Sequence, residues 1–546
     1  MATKHMLEEG LSVVALDKRE GFGGIWRYSD CPDVCTVMKS TTCTSSSTVT
    51  EMSDFPMPDE LGQFPHHTKI LEYLDGYIHH FSLGPHIRCN VTVTGTEKRG
   101  NLWEVKTSAS VVYTSRYLVI CTGLTQKPNT AMAEEELSKF TGSLHHSIEI
   151  KELMSEYKGQ RLLVIGGGET ASDIVGEWLD HMGFVYWSIP NGQHFFRKYA
   201  SILPWKPPQP LDKASSRMLK AIAPYHYGKP GLKWICKWTT NGSLLAYQGH
   251  GIPEWRNRTP FFHQAINKNS KILDLVDYQR LTPKGGVTNV EGRKITFIDG
   301  SSETFDVVIL CTGYNMDFSS VLPERYSQVQ PRDRYKYVFD TEDPSLAFIG
   351  YVRPIVGAIP TLSELQSRWV AKVFAKHVQL PPLSTRRKAV EEDGQFWRKY
   401  LEHSSQRYQT LPLVEGFVYS DDVAKLAGVF PDYWSLFKAD PKGCFIALFS
   451  PFSASTFRLN DPAYRHQALA IMNKHRQGTT NPLHLMLILF LRVTFIDWAL
   501  EKLGAVKYHL QISHWWKAVR DFRIVRALDY VWCTPKRLLF DNISNA

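Results

Sequence analysis

At 546 residues, with 43% apolar and 21% charged side chains, the chain exceeds one ordinary core and predicts two to four globular domains, not a disordered or fibrous protein. Its formal charge of +9 is scattered apart from short runs such as Arg386-Arg-Lys388, which argues against nucleic acid and suits anionic cofactors or a membrane surface equally. The nine cysteines have no paired spacing, and Cys31 and Cys35 lack a second pair to complete a zinc site, so free thiols and no metal are expected.

No apolar stretch follows Met1–Met6, so no signal peptide is expected there. Residues 4–10 read as the end of a helix stopped by Gly10, and Val13–Leu16 as a short buried strand ending in Asp17. An acid at that strand tip suits the ribose hydroxyls of a dinucleotide. Gly21, Gly23 and Gly24 follow, where backbone can pass close to a ligand, and Trp26 can wall the site. A Ser/Thr-rich loop is expected over 37–50, an extended stretch over 54–58 and a helix over 68–83. Strands are expected at 86–94, 102–107 and 111–114, then a buried strand running into the turn Cys121-Thr122-Gly123.

Arg161-Leu-Leu-Val-Ile-Gly166-Gly-Gly168-Glu-Thr-Ala171 is a buried strand, a glycine turn and a helix start, the G-x-G-x-x-A fingerprint of a dinucleotide site. Phe184–Ser188 reads as the second strand of that unit. Pro204–Pro210 opens an insertion reaching to about residue 270, and 293–310 alternates like a hairpin with Asp299-Gly300 at its turn. The next strand runs into Cys311-Thr312-Gly313-Tyr314, and beyond about 440 helices and loops are expected. Leu485–Leu491 is the most apolar window. It is far short of the roughly 20 residues that span a bilayer, so 483–503 is expected to be a buried helix or one lying on a membrane surface.

These motifs together resemble the flavin-containing monooxygenase family over essentially the whole chain. The family pattern F-x-G-x-x-x-H appears as Phe140-Thr-Gly142-Ser-Leu-His-His146, 20 positions before Gly166, with Ile150 where an aromatic is usual. Further matches are Gly23-Gly-Ile-Trp26, Asp54-Phe-Pro56, Cys311–Tyr314, Gly357–Gln366 ahead of Trp369, and Phe457-Arg-Leu459.

The resemblance implies an α/β protein of two doubly wound, Rossmann-like dinucleotide-binding domains, the NADPH domain inserted in a split FAD domain, with a mostly helical C-terminal region. The expected division is 1–150 and 311–440 for the FAD segments, 151–310 for the NADPH unit and 441–546 for the helical region. The implied enzyme, of the N,N-dimethylaniline monooxygenase type, uses FAD and NADPH to move one oxygen atom of dioxygen, through a flavin hydroperoxide, to a soft nucleophilic nitrogen or sulfur of a small amine or sulfide. The cofactor carries the difficult chemistry, so the protein supplies orientation and a dry pocket. His145 and His146 are accordingly read as structural.

Residue by residue, the resemblance puts Asp17 on the flavin-side ribose with Gly23, Gly24 and Trp26 beside it. It puts the NADPH pyrophosphate on Gly166, Gly168 and Ala171, and Thr122, Gly123, Thr312 and Gly313 at the strand-to-nucleotide turns. Gln366 is implied near the isoalloxazine ring and Thr44 at the position where the family usually has an Asn near the flavin. Cytoplasm or the endoplasmic reticulum membrane surface is the expected location, with peripheral membrane contact and a homodimer both compatible.

Three departures stand out. The strand and G-x-G-x-x-G that the family carries ahead of Asp17 would fall before Met1, so an N-terminally truncated member with weakened flavin binding is expected. A hydroxyl at Thr44 is expected to stabilise the hydroperoxide less well than an amide. Ser188-Ile-Pro-Asn-Gly192 lacks the usual arginines for the 2′-phosphate, leaving Arg197 and Lys198 to reach it. The alternatives are a Baeyer–Villiger oxygenase using the same cofactors, and a catalytically impaired relative with a binding or regulatory role.

Overall fold

A computed structural model describes residues 1–195, 198–200, 208–214, 216–218, 253–255, 265–269, 280–355, 357–400 and 412–476. The expected helix at 483–503, Arg197 and most of the insertion lie outside them.

The chain opens with helix α1 (Ala2–Glu8), ended by Gly10 at φ +78°, and strand β1 (Ala15–Leu16). Helix α2 (His67–His80) follows, its N-cap His66 accepting from the Thr68 N–H and its Ile70, Tyr73 and Tyr77 facing a buried cluster. The strand expected at 86–94 is two strands, β2 (Ile87–Arg88) and β3 (Val93–Arg99). Asn90 sits at φ +56° and donates its N–H to the Arg19 carbonyl, and a left-handed residue there breaks the run. Strands β3, β4 (Leu102–Thr107) and β5 (Val112–Ser115) form an antiparallel meander, and β6 (Leu118–Ile120) follows.

The central layer is a five-stranded parallel sheet. It contains β7 (Ser143–His146), β8 (Arg161–Ile165), β9 (Phe184–Ser188), β10 (Thr282–Lys284) and β11 (Val307–Leu310), in the spatial order β10-β9-β8-β11-β7. This sheet begins ahead of residue 151, where the sequence places the boundary, because Ser143–His146 pairs with Val307–Leu310. Leu162, Leu163, Val164 and Ile165 are at most 1% exposed, the continuous apolar run that a strand covered on both faces requires. The hairpin expected within 293–310 forms and gains a third strand. Lys294–Phe297 does pair with Ser302–Thr304 around Asp299-Gly300, but Val287–Glu291 is its third strand and Val307–Leu310 leaves to enter the parallel sheet.

After β8, helix α3 (Glu169–Trp178) covers one face with Ala171, Ile174, Val175 and Trp178, all fully buried. The chain then returns through β12 (Leu346–Phe348), which pairs parallel with β6, and β13 (Arg353–Pro354), which pairs with Leu413–Val414. Helix α4 (Ile359–Phe374) carries Leu362, Leu365, Trp369, Val370 and Phe374 into the largest core cluster and packs against α1. Each such side chain contributes roughly 1.5–3 kcal/mol by leaving water. Helices Tyr433–Ala439, Pro441–Phe449 and Pro462–Arg476 close the described C-terminal region. Apart from that central sheet, β1–β2 and β6–β12 are separate two-stranded parallel sheets.

Candidate active site

Strand β8 delivers the chain into Gly166 at φ +123°, where a Cβ would lie 2.3 Å from the Cys311 carbonyl oxygen. The Gly166 carbonyl accepts from Trp187 Nε1 at 2.7 Å, which pins the turn. Gly168 is the N-cap of α3 and no side chain caps the helix; a Cβ on Gly168 would meet nothing within 4 Å. The helix start is thus uncapped and Gly168 itself is exposed, the setting that an anion site at a helix start requires. Ala171 packs beneath, 0% exposed.

Two Thr-Gly turns end matching strands, with Gly123 at φ +84° after β6 and Gly313 at φ +85° after β11. Thr122 Oγ1 lies 2.7 Å from the Tyr351 hydroxyl and accepts from Gln126 Nε2. Thr312 Oγ1 donates to the Asn129 carbonyl at 2.6 Å. The Gly313 carbonyl accepts from the Asn129 N–H and from His146 Nε2 at 3.1 Å, while His146 Nδ1 accepts from the Ile148 N–H. His145 spans Glu149 and the Tyr157 hydroxyl. Both ring nitrogens of each histidine are thus engaged, and His146 holds the Gly313 turn.

On the flavin side, Asp17 Oδ1 accepts from the Arg19 N–H at 2.9 Å. Gly23 lies at φ +116° with Leu71 Cδ1 only 2.4 Å from where a Cβ would stand, whereas Gly24 at φ +54° opens onto empty space. Trp26 is half-buried at the end of the short helical turn Gly24–Trp26 and packs on the cluster containing Met52 and Tyr73. Cys121, at the end of β6 ahead of the Thr122-Gly123 turn, is exposed.

The structure separates Thr44 from Gln366 in character. Thr44 is half-buried, and its hydroxyl has no hydrogen-bond partner among the described residues. Gln366 is 0% exposed; its Oε1 accepts from the Gly350 N–H at 3.0 Å and its Nε2 donates to the Tyr419 hydroxyl at 2.8 Å. Its amide is thus spent joining α4 to the end of β12.

Residues outside the motifs tie the two halves together. Lys268 donates its backbone N–H to Glu169 Oε1 at 2.8 Å, and its ammonium reaches Ser45 Oγ at 3.3 Å. Lys198 Nζ lies 3.1 Å from Thr42 Oγ1, so it faces the flavin-side loop. Arg353 adds a third positive charge acting on Glu169. Asn267 Nδ2 donates to the Gly167 and Gly168 carbonyls. Desolvation raises the Glu169 carboxyl above its usual range against the pull of Lys268, Arg353 and Lys198. One turn on, desolvation and the Glu169 charge raise Asp173 to about 7. Glu169 sits inside the glycine fingerprint at a position the motif leaves free, while Lys268 belongs to no motif.

The chain matches the family described as flavin-binding monooxygenase-like over residues 1–488. The chain belongs to that family. It is 30% identical over 481 residues to 4-hydroxybenzoate brominase (decarboxylating) of Marinomonas mediterranea, covering 84% of this chain and 87% of the relative. It is 27% identical over 506 residues to dimethylaniline monooxygenase [N-oxide-forming] 2 of Mus musculus, covering 88% and 90%. Among solved structures, the S-allyl-L-cysteine S-oxygenase of Allium sativum aligns at a TM-score of 0.57 and 19% identity, covering 88% of this chain and 96% of that one, which is a likeness of fold.

Membership of the flavin-binding monooxygenase-like family makes the chain an oxidoreductase of FAD and NADPH that acts with dioxygen on small molecules. The residues present fit these groups. The open, uncapped start of α3 suits a pyrophosphate, and the Asp17 carboxylate, Gly24 and the Cys121–Gly123 turn suit the flavin nucleotide. Among the described residues no helix is long and apolar enough to cross a membrane, and no cluster of side chains could hold a metal ion.

Proposed function

We propose that this protein is an FAD- and NADPH-dependent monooxygenase that transfers one oxygen atom of dioxygen to a soft nucleophilic nitrogen or sulfur of a small molecule. The observation that carries the reading is the junction at Lys268, which hydrogen-bonds the glycine-loop helix through Glu169 and the Thr42–Ser46 loop through Ser45. The nicotinamide cradle and the flavin-side loop bearing Thr44 are thereby held against each other. FAD, when bound, supplies reduction by NADPH and activation of dioxygen. The protein's task is positional: Asp17, Gly23, Gly24 and Trp26 would seat the flavin nucleotide, with the turns at Thr122-Gly123 and Thr312-Gly313 lining the strand ends. Gly166, Gly168 and Ala171 would admit the NADPH pyrophosphate, Thr44 would offer its free hydroxyl to the reacting centre, and Gln366 would hold α4 in place. The division into a split flavin unit and an inserted nicotinamide unit belongs to the same proposal.

A second reading, oxidation of an anionic phenol or of a halide, is favoured by the 30% identical brominase and by the positive side chains Lys198, Lys268 and Arg353 around the same cleft. NADPH and oxygen consumption with a tertiary amine, a thioether, a cyclic ketone, and 4-hydroxybenzoate plus bromide would separate the readings. An N- or S-oxide carrying one atom from labelled dioxygen is expected. Product from the ketone alone, or from the phenol and bromide alone, would overturn the proposal.

A further inference from the structure

We propose that Glu169 makes occupancy of the nicotinamide site proton-linked: the dinucleotide binds together with one proton, taken up by the Glu169 carboxylate. This rests on the assignment of the Gly166–Ala171 loop to NADPH.

Glu169 is the first residue of a ten-residue helix whose N-terminus has no side-chain cap, and it directly follows the glycines expected to receive a pyrophosphate. Glu169 Oε1 accepts the Lys268 N–H, while Oε2 is shielded from water and has no hydrogen-bond partner among the described residues. A carboxylate with one oxygen shielded and unpartnered is a poor neighbour for a second anion, because the cost of like charges grows as water is excluded.

The groups facing it come from four elements. Lys268 reaches it from residues 265–269, Lys198 from its own short segment, Arg353 from β13, and Asp173 from one turn along α3. Desolvation and the Asp173 charge disfavour the ionised carboxylate, and the three cations oppose them. Desolvation already sets the Glu169 carboxyl above its ordinary range, and Asp173, whose Oδ1 accepts from Asn269 Nδ2, is raised to about 7 by burial and by the Glu169 charge. A pyrophosphate on the helix start would compete for the same cations and push Glu169 further toward the neutral form. As a neutral acid its free oxygen becomes an O–H donor able to bond the phosphate.

The sign follows from linkage. A group whose pKa is higher in the complex than in the free protein binds a proton on association. Affinity therefore falls as pH rises above the free-site pKa, by up to tenfold per pH unit, until the pKa of the complex is passed.

The test is titration calorimetry of the full chain with NADP+ and with NAD+ between pH 6.5 and 9, in pairs of buffers of different ionisation enthalpy. The expected result is net uptake approaching one proton with both nucleotides, the NAD+ arm excluding the 2′-phosphate as the source. Glu169→Gln is expected to remove the uptake and flatten the pH dependence while retaining tight binding, and Asp173→Asn to leave the uptake in place. Wild-type binding without proton uptake, or an unchanged pH slope in Glu169→Gln, would overturn the proposal. If Asp173→Asn alone abolished the uptake, the assignment to Glu169 would be wrong. Failure of both nucleotides to bind wild type and Glu169→Gln alike would instead remove the nicotinamide assignment itself, and the proposal with it.

Discussion

Arg458 Nη2 donates to Asp54 Oδ2 at 2.6 Å, joining residues 404 positions apart in a site where both side chains are at most 5% exposed. Lys4 donates to the same carboxylate, Arg458 Nε to Ser53 Oγ at 2.7 Å, and Ser53 to Glu364. The beginning, the middle and the late part of the described chain meet in this one buried ionic cluster.

Removing one member leaves buried charge without its partner. Asp54→Ala or Arg458→Met is expected to destabilise the protein by about 3–5 kcal/mol. Urea denaturation followed by tryptophan fluorescence measures it, and a change under about 1 kcal/mol would show that the cluster is dispensable.

Acid should loosen the same region in two stages. Burial lowers His5 to about 4 from an ordinary value of 6.5, so the unfolded chain takes up that proton first. Stability is complete above about 6.5 and declines as pH falls toward 4. Glu364, held below the usual carboxylate range by Arg458, His5 and Ser53 in spite of its desolvation, adds a further loss at lower pH. His5→Gln is expected to remove the first stage from a stability-against-pH profile.

Gly166→Ala would force a side chain onto a left-handed residue 2.3 Å from the Cys311 carbonyl oxygen. A loss on the order of 1–3 kcal/mol is expected, with NADPH binding weakened by roughly tenfold or more. Gly168→Ala, where a Cβ meets no neighbour, should fold normally and reveal the ligand's own demand for space in its KM.

Gln366→Leu strands the half-buried Gly350 N–H and should cost about 1–3 kcal/mol. Gln366→Glu keeps an acceptor there. If Gln366 acts through position, the Glu variant should hold flavin and turnover far better than the Leu variant; equal loss of turnover with normal stability would argue for direct contact with the reacting centre.

Thr44→Asn tests the flavin-side hydroxyl. It is expected to lower the hydrogen peroxide released per NADPH consumed, about two- to tenfold, a barrier change of roughly 0.4–1.4 kcal/mol. Unchanged leakage would separate Thr44 from the oxygenation step.

The parallel sheet and the glycine loop were legible because their physics is local. A strand buried on both faces must read as Leu162–Ile165 does, and Gly166 is required by its own φ and by one close neighbour. Asn90 was not legible as a break, because a left-handed residue is chosen by the turn it closes. Lys268 offered no pattern at all, since its role consists of two hydrogen bonds to segments 99 and 223 residues away. Glu169 stood in plain view within the fingerprint, but its significance lies in the cations around it, which arrive from elsewhere in the chain.

The double attachment at Lys268 also bears on motion. Its backbone N–H holds Glu169 and its ammonium Ser45, and the ammonium bond, at 3.3 Å, is the longer of the two. Were the units to swing apart to release oxidised nicotinamide, that outer bond would part first while the Glu169 anchor held. Lys268 would then act as a latch, setting how often the door opens without taking part in what happens behind it.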